Sequence, residues 1–123
     1  EHRGNWTETG LDQFPWVRPG IESTQNNLIK ISELCRENGM EFSFVIYPLP
    51  VQLLSDKRPS IHQRIFQEFA KGHKLEMHDL FPVFFSHDDW KSAFLTDDFH
   101  WSREGNRLVA ERLYEILSPS LIP

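Results

Sequence analysis

The sequence has only one cysteine and no long hydrophobic run. Because Cys35 is alone, no disulfide can form within the 123-residue chain, and we expect this residue to be a small buried hydrophobe. No apolar run approaches the roughly 18 residues that a membrane span needs. The chain starts with Glu1-His2-Arg3-Gly4, which does not resemble a secretory signal. These features identify no compartment, and an extracytoplasmic location of the full-length protein stays open.

Positive charge is also scarce. Lys and Arg number 13 against 18 Asp and Glu, which gives a formal net charge of −5 and a sequence pI near 5.6. Because such a chain has no excess of basic side chains with which to follow a phosphate backbone, we do not expect nucleic acid as a partner. With 39% hydrophobic and 25% charged residues, the chain has the composition and length of one small globular domain.

Apolar periodicity predicts alternating helices and strands after an irregular start. Residues 1–20 are polar and interrupted by Gly and Pro, so we expect little regular structure there. Amphipathic helices are predicted at 21–38, from 60 to about 71 and from 102 to about 117. Strands are predicted at 42–47 and around 75–78, with a loop at 48–52. The first strand is apolar on both faces, which is typical of a buried parallel strand.

This order of elements indicates an α/β fold that is incomplete by itself. Helix, strand, helix, strand, helix is half of a three-layer α/β/α sandwich, and two strands leave too little sheet for the covering helices. We therefore expect residues 21–123 to be the C-terminal half of a larger α/β domain. Two alternatives remain: two copies of the chain complete each other's sheet, or a further strand lies within residues 1–20.

The residues with the clearest chemistry lie just before the last helix, in Thr96-Asp97-Asp98-Phe99-His100-Trp101-Ser102. A histidine acts as a base when a neighbouring carboxylate fixes its tautomer and stabilises the imidazolium, and an aspartate two or three residues upstream can do both. His100 is therefore the candidate base, with Asp98 or Asp97 as the orienting acid. Aspartate and histidine near a helix start also occur simply as capping and loop residues.

The block Asp97-Asp98-Phe99-His100-Trp101, followed by Gly105 and an amphipathic helix, resembles the last sequence block of the SGNH (GDSL-type) esterase and acyltransferase superfamily. The resemblance covers about residues 20–117 and implies a flavodoxin-like α/β/α fold. The Asp-x-His-Trp spacing is most similar to the polysaccharide O-acetyltransferase-like branch, whereas the wider superfamily places its aspartate three residues before the histidine. We favour Asp98 as the orienting acid, because Asp97 after Thr96 is well placed to hold a turn.

The resemblance implies a serine esterase or O-acyltransferase that acts on O-acyl groups, with an acylated small molecule or polysaccharide as its partner. In that mechanism His100 deprotonates a serine, and the acyl-enzyme is resolved by water or a sugar hydroxyl. No cofactor is required. Tyr47 and Gln52, which follow the first strand, and Trp101, beside the base, are predicted to line the substrate cleft.

The chain departs from the superfamily at the nucleophile. It has no Gly-Asp-Ser block, and Gly4-Asn5, the nearest match to the asparagine block, lacks the aspartate that should follow. We therefore expect this chain to be the base-bearing part of the enzyme and to be inactive alone. A non-catalytic carbohydrate-binding or assembly module of the same fold is one alternative. A metal-dependent hydrolase using Asp and His at 78–79 and 87–89 is another, although no HExxH helix or paired Cys spacing predicts a metal site.

Overall fold

The structure, a computed structural model, describes residues 4–55 and 57–121, the last two of these by backbone only. It is mixed α/β, with most of its residues in helices. In chain order the elements are α1 (Trp6–Thr9), α2 (Val17–Glu37), β1 (Ser43–Ile46), α3 (Pro50–Ser55), α4 (Ile61–His73), β2 (Glu76–Asp79), α5 (Phe81–Phe85), a 3₁₀ helix (Trp90–Ala93) and α6 (Arg103–Leu121). Within the described residues, no helix is both long and apolar enough to cross a membrane.

The two strands form a short parallel sheet, as the sequence predicts. β1 and β2 pair in register from Ser43 opposite Glu76 to Ile46 opposite Asp79. α3 and α4 connect the carboxyl end of β1 to the start of β2. In the part of the chain that the structure describes, no third strand pairs with either outer edge.

The hydrophobic core has two clusters, and each takes alternate residues of β1. Phe44 and Ile46 pack with residues of α2 and α4, whereas Val45 and Tyr47 pack with residues of α5, the 3₁₀ helix and α6. Because successive strand side chains point to opposite faces of a sheet, the two clusters lie on opposite faces of β1. The cluster that contains Val45, Tyr47 and the fully buried Leu80 supports the segment that carries the candidate base.

Polar side chains at the element ends fix where the helices start. Ser60 and Gln63 form a reciprocal capping box at the start of α4. Asp79, at the end of β2, accepts hydrogen bonds from the backbone N–H of Phe81 at 2.9 Å and from the side chain of Gln63 at 2.8 Å. This carboxylate therefore holds the start of α5 and ties it to α4.

The structure corrects two sequence predictions. Residues 4–16 contain the single-turn helix α1, and α2 begins at the buried Val17 rather than at residue 21. The loop predicted at 48–52 contains the start of α3, which begins at Pro50. Proline is accepted in the first turn of a helix, where its missing N–H would have no partner, so Pro19 and Pro50 do not stop these helices.

Candidate active site

The candidate base lies in a closed loop between the 3₁₀ helix and α6. Phe94 and Trp101 form an antiparallel bridge at the base of this loop. Inside the bridge, the backbone N–H of Leu95 donates to the carbonyl of His100 at 2.9 Å. The loop therefore has a paired stem, and its position does not depend only on its side chains.

Ser102 attaches the loop to α6. Its backbone N–H donates to the carbonyl of Ala93 at 2.9 Å, and its hydroxyl accepts from the N–H groups of Glu104 and Gly105 at 3.1 and 3.3 Å. This confirms the predicted helix cap. Gly105 passes so close that a Cβ there would lie 2.1 Å from the Ala93 carbonyl oxygen. Only glycine leaves room for this approach of the two backbones.

Asp97 forms the tip of the loop. The backbone N–H of Asp98 donates to the carbonyl of Leu95 at 3.1 Å, which closes a turn. Within it, Asp97 has a φ of 57°, in the left-handed region that aspartate tolerates better than most residues. The position of Asp97 agrees with the turn-holding role that we predicted for it.

Asp98 contacts the candidate base directly. Its Oδ1 lies 2.8 Å from Nδ1 of His100, so the predicted contact is present and is made by Asp98, not by Asp97. Because an ionised carboxylate can only accept, Nδ1 of His100 carries the hydrogen and Nε2 keeps its lone pair. The imidazole side chain is 66% exposed. The ring is therefore held in one orientation by Asp98 and is open to solvent.

Backbone N–H groups keep Asp98 ionised and in place. Its Oδ1 also accepts from the N–H of Phe99 at 2.6 Å and from the N–H of His100 at 3.3 Å. Desolvation raises the pKa of Asp98, but the hydrogen bonds from the His100 and Phe99 backbone, together with those from the imidazole, outweigh it. The pKa of this carboxyl therefore lies below its ordinary value, and the acid stays charged when His100 is neutral.

The loop forms one wall of an open cleft of about 1110 Å³. α3 and the residues before it form the facing wall, and the 3₁₀ helix and the N-terminal segment complete the rim. The side chains that line the cleft are mostly apolar at α3 and mostly polar at residues 96–98 and at His100. The residues that line the cleft include Asn5, Leu49, Val51, Leu54, Lys91, Leu95, Thr96, Phe99 and His100.

The three residues predicted to bind substrate do not line this cleft. Gln52 is fully buried, accepts from the N–H of Leu49 at 2.7 Å and donates to the hydroxyl of Ser60 at 2.9 Å. Tyr47 and Trp101 pack against each other, with ring centroids 4.6 Å apart. In this structure Gln52 holds the turn into α3, and the aromatic pair supports the loop from the core side. A role of the three residues in substrate binding stays a prediction.

The N-terminal segment supplies cleft residues that the sequence did not place there. Gly4 and Asn5 line the same cleft as His100. A Cβ at position 4 would lie 2.8 Å from a methyl of Leu49 and 2.9 Å from a methyl of Val51, so the segment packs closely on α3. The incomplete Gly4-Asn5 match to the superfamily's asparagine block was the one sequence signal for this.

The Asp and His clusters at 78–79 and 87–89 do not come together as a metal site. Within residues 4–55 and 57–121, no group of three or more His, Cys, Asp or Glu side chains could hold a metal ion. Nε2 of His78 lies 3.4 Å from Oε1 of Glu76. Nε2 of His87 lies 3.7 Å from Oε1 of Glu104, so the two histidines belong to separate pairs. The structure therefore gives no observation in favour of the metal-dependent alternative.

Comparisons with known proteins were made by family model, by curated sequence and by solved structure, and none of them gave a match. The resemblance to the SGNH superfamily thus depends on the Asp/His block and on the order of elements around it.

The tautomer of His100 provides a direct test of this geometry. We expect the ¹⁵N NMR spectrum of the neutral imidazole of His100 to show its hydrogen on Nδ1, because the Asp98 carboxylate accepts from that atom. Asp98→Asn is expected to abolish this preference, whereas Asp97→Asn is expected to keep it. Equal effects of the two substitutions, or an Nε2–H tautomer in the unmodified chain, would contradict the assignment of Asp98.

Proposed function

We propose that this chain is the base-bearing part of an SGNH-like serine esterase or O-acyltransferase that acts on O-acyl groups, with acylated carbohydrates as the substrate class that the resemblance implies. One observation carries the proposal: Oδ1 of Asp98 lies 2.8 Å from Nδ1 of His100, and the imidazole is exposed on a large cleft. An oriented, accessible base beside an ionised acid is the part of a triad that activates a hydroxyl nucleophile.

The chemistry follows from the free nitrogen of His100. Nε2 accepts the proton as a serine oxygen attacks the acyl carbon, and Asp98 stabilises the imidazolium that forms. The proton then goes to the departing alcohol oxygen, leaving an acyl-serine. In the second half, His100 takes a proton from water or from an acceptor hydroxyl as that oxygen attacks the acyl carbon. The imidazolium then returns the proton to the serine oxygen as the acyl–serine bond breaks. Since Asp98 is held by two backbone N–H groups, the base keeps its orientation through both steps.

The nucleophile must come from outside the described cleft lining. Among the described residues that line the cleft, Thr96 has the only hydroxyl, and none is serine or cysteine. Thr96 belongs to the same turn as the acid. This supports the interpretation that the chain holds base and acid without the serine.

The fold fits the same proposal. Helices lie over both faces of β1, as in one half of a three-layer α/β/α sandwich. In the described part of the chain, β1 and β2 each have an unpaired outer edge, which in a complete domain is covered by further strands. We propose that the chain from the start of α2 onward is the C-terminal part of such a domain, with the remaining part of the same protein, or a second copy, covering the sheet.

The test is an ester-hydrolysis assay on the gene product with any residues encoded before Glu1. We expect it to contain a Gly-Asp-Ser block and to hydrolyse an O-acylated sugar, with His100→Ala and a Ser→Ala change in that block each abolishing turnover. The 123-residue chain alone is expected to be no more active than its own His100→Ala variant, because the cleft lining that the structure describes holds no serine or cysteine nucleophile.

Two controls make the assay decisive. Asp97→Asn removes an equal charge from the same turn without touching the base, so it is expected to keep most of the activity that Asp98→Asn loses. A gene product without a Gly-Asp-Ser block would favour the non-catalytic binding module instead. Turnover by the 123-residue chain that requires His100 and one of its own serines would refute the proposal that the nucleophile lies elsewhere.

A further inference from the structure

Exposed apolar side chains gather at the cleft beside His100. Three large hydrophobic residues that line it, Leu54, Leu95 and Phe99, are exposed to solvent. Leu49 and Val51 belong to the same surface and are half-buried. An exposed leucine is ordinary by itself, but several around one concave site indicate that the site takes an apolar group.

We propose that this cleft binds a medium-length apolar chain, the acyl chain of the substrate, next to the reacting carbonyl. The proposal rests on the proposed function for the position of that carbonyl, and it adds that the acyl group is longer than acetyl. The chain lies against Leu54 and Val51 on the α3 side and against Leu95 and Phe99 on the loop side. The ester end lies at His100.

The polar groups of the cleft support this orientation. Thr96, Asp97, Asp98 and His100 all belong to the loop, so hydrogen-bonding groups are concentrated at one wall. The facing wall, from residue 49 to Leu54, offers carbon side chains. A free sugar would place its hydroxyls against that wall without partners, which disfavours binding. An acylated sugar can place its hydroxyls toward the polar residues of the loop and its chain between α3 and the side chains of Leu95 and Phe99.

The volume of the cleft also agrees with a small amphipathic molecule. At about 1110 Å³ the open cleft is slightly larger than most small-molecule sites, and an acetyl group alone would fill little of it. Lys91 and Asn5 stand at its rim, where a sugar's hydroxyls could reach them. The occupant we infer is therefore one molecule with a polar head and an apolar chain.

Binding of two non-hydrolysable sugars to the 123-residue chain tests this inference. Hexyl β-glucoside and methyl β-glucoside share a head group and differ by five methylenes. Titration by methyl NMR is expected to give a dissociation constant at least about tenfold lower for hexyl β-glucoside, because burial of the added methylenes favours binding. The largest shifts are expected at Leu54 and Leu95.

Matched substitutions locate the chain within the cleft. Leu54→Ser and Phe99→Ser are each expected to weaken binding of hexyl β-glucoside by about fivefold or more, since each removes apolar surface from one wall. Leu34→Ser on α2 is the control. Leu34 is 59% exposed and Leu54 is 67% exposed, so both changes are compatible with folding, but Leu34 does not line the cleft.

Equal affinity for the two glucosides would overturn the inference. NMR shifts that spread over α2 would do the same, and so would an equal loss of affinity for hexyl β-glucoside in Leu34→Ser and Leu54→Ser. Concentration-dependent shifts at the cleft without any glucoside, removed by Leu54→Ser, would show that a second copy of the chain occupies it, and would also overturn it. The glucosides contain no ester, so this result is independent of turnover. An inactive gene product with a hexyl-selective cleft would contradict only the proposed function.

Discussion

Replacing Gly105 by alanine is expected to destabilise the fold by about 2–3 kcal/mol, because the new methyl would overlap a backbone oxygen. Its Cβ would lie 2.1 Å from the carbonyl oxygen of Ala93 and 3.0 Å from the Cβ of Trp101. Neither atom belongs to the end of a flexible side chain. The start of α6 must therefore move away from the 3₁₀ helix, which breaks the hydrogen bond from Ser102 to Ala93. Urea denaturation measures the change in the free energy of unfolding.

Gly72→Ala is the matched control, since position 72 lies in α4 and a Cβ there would have open space around it. Alanine has a higher helix propensity than glycine, so this change is expected to stabilise the fold by up to about 1 kcal/mol. The two substitutions thus have opposite expected signs. If Gly105→Ala were also stabilising, the close approach of the two backbones described here would be wrong.

The same substitution should disturb the candidate site. The loop that carries His100 is fixed to α6 through Ser102, so a shift of α6 moves the stem of the loop. We expect Gly105→Ala to weaken the Nδ1–H tautomer preference of His100 even in the molecules that remain folded. Gly72→Ala is expected to leave the His100 signals unchanged.

Stability is expected to fall between pH 6.5 and pH 4 because of His62. This side chain lies in α4 against the rings of Trp6, Phe66 and Phe81. Burial lowers its pKa from 6.5 to about 4, and the negative charge of Asp79 offsets this effect only in part. The Nδ1 atom is buried with no hydrogen-bond partner among the described residues, so the folded state offers little to an imidazolium there.

The sign follows from proton uptake. Between pH 6.5 and 4 the unfolded chain binds a proton at His62 and the folded chain does not, so acid favours unfolding in this window. The shift corresponds to about 3 kcal/mol, which is present in full above pH 6.5 and lost as the pH falls to 4. Other groups, including the carboxyl of Asp98 with its lowered pKa, also contribute to acid unfolding. Comparing the pH dependence of stability of a variant with that of the unmodified chain removes their contribution.

The comparison uses His62→Phe, which keeps a ring in the aromatic cluster and removes the titrating group. We expect this variant to lose about 3 kcal/mol less than the unmodified chain between pH 7 and pH 4. His73→Phe, on the exposed end of the same helix, is the control and should keep the full pH dependence. Parallel stability curves for His62→Phe and the unmodified chain would show that His62 is not a source of acid sensitivity.

Local features of the fold could be predicted because their causes lie within a few residues. The helices predicted at 60–71 and 102–117 are observed at Ile61–His73 and Arg103–Leu121, since apolar spacing and the capping residues Ser60 and Ser102 are both local signals. The contact of Asp98 with His100 was predicted for the same reason: the two residues are two positions apart in one turn of loop.

The tertiary structure decided which distant residues meet and which side chains are buried. Gln52 could be placed after a strand, but only packing buries it against Ser60. The cleft joins residues 4–5, 49–54 and 90–100, and no local pattern encodes that meeting. The low pKa of His62 has the same origin, because the aromatic cluster around it comes from α1, α4 and α5. Sequence determined the contact of Asp98 with His100 by proximity along the chain, whereas the cleft beside them exists only because burial of apolar groups from separate elements brings those elements together.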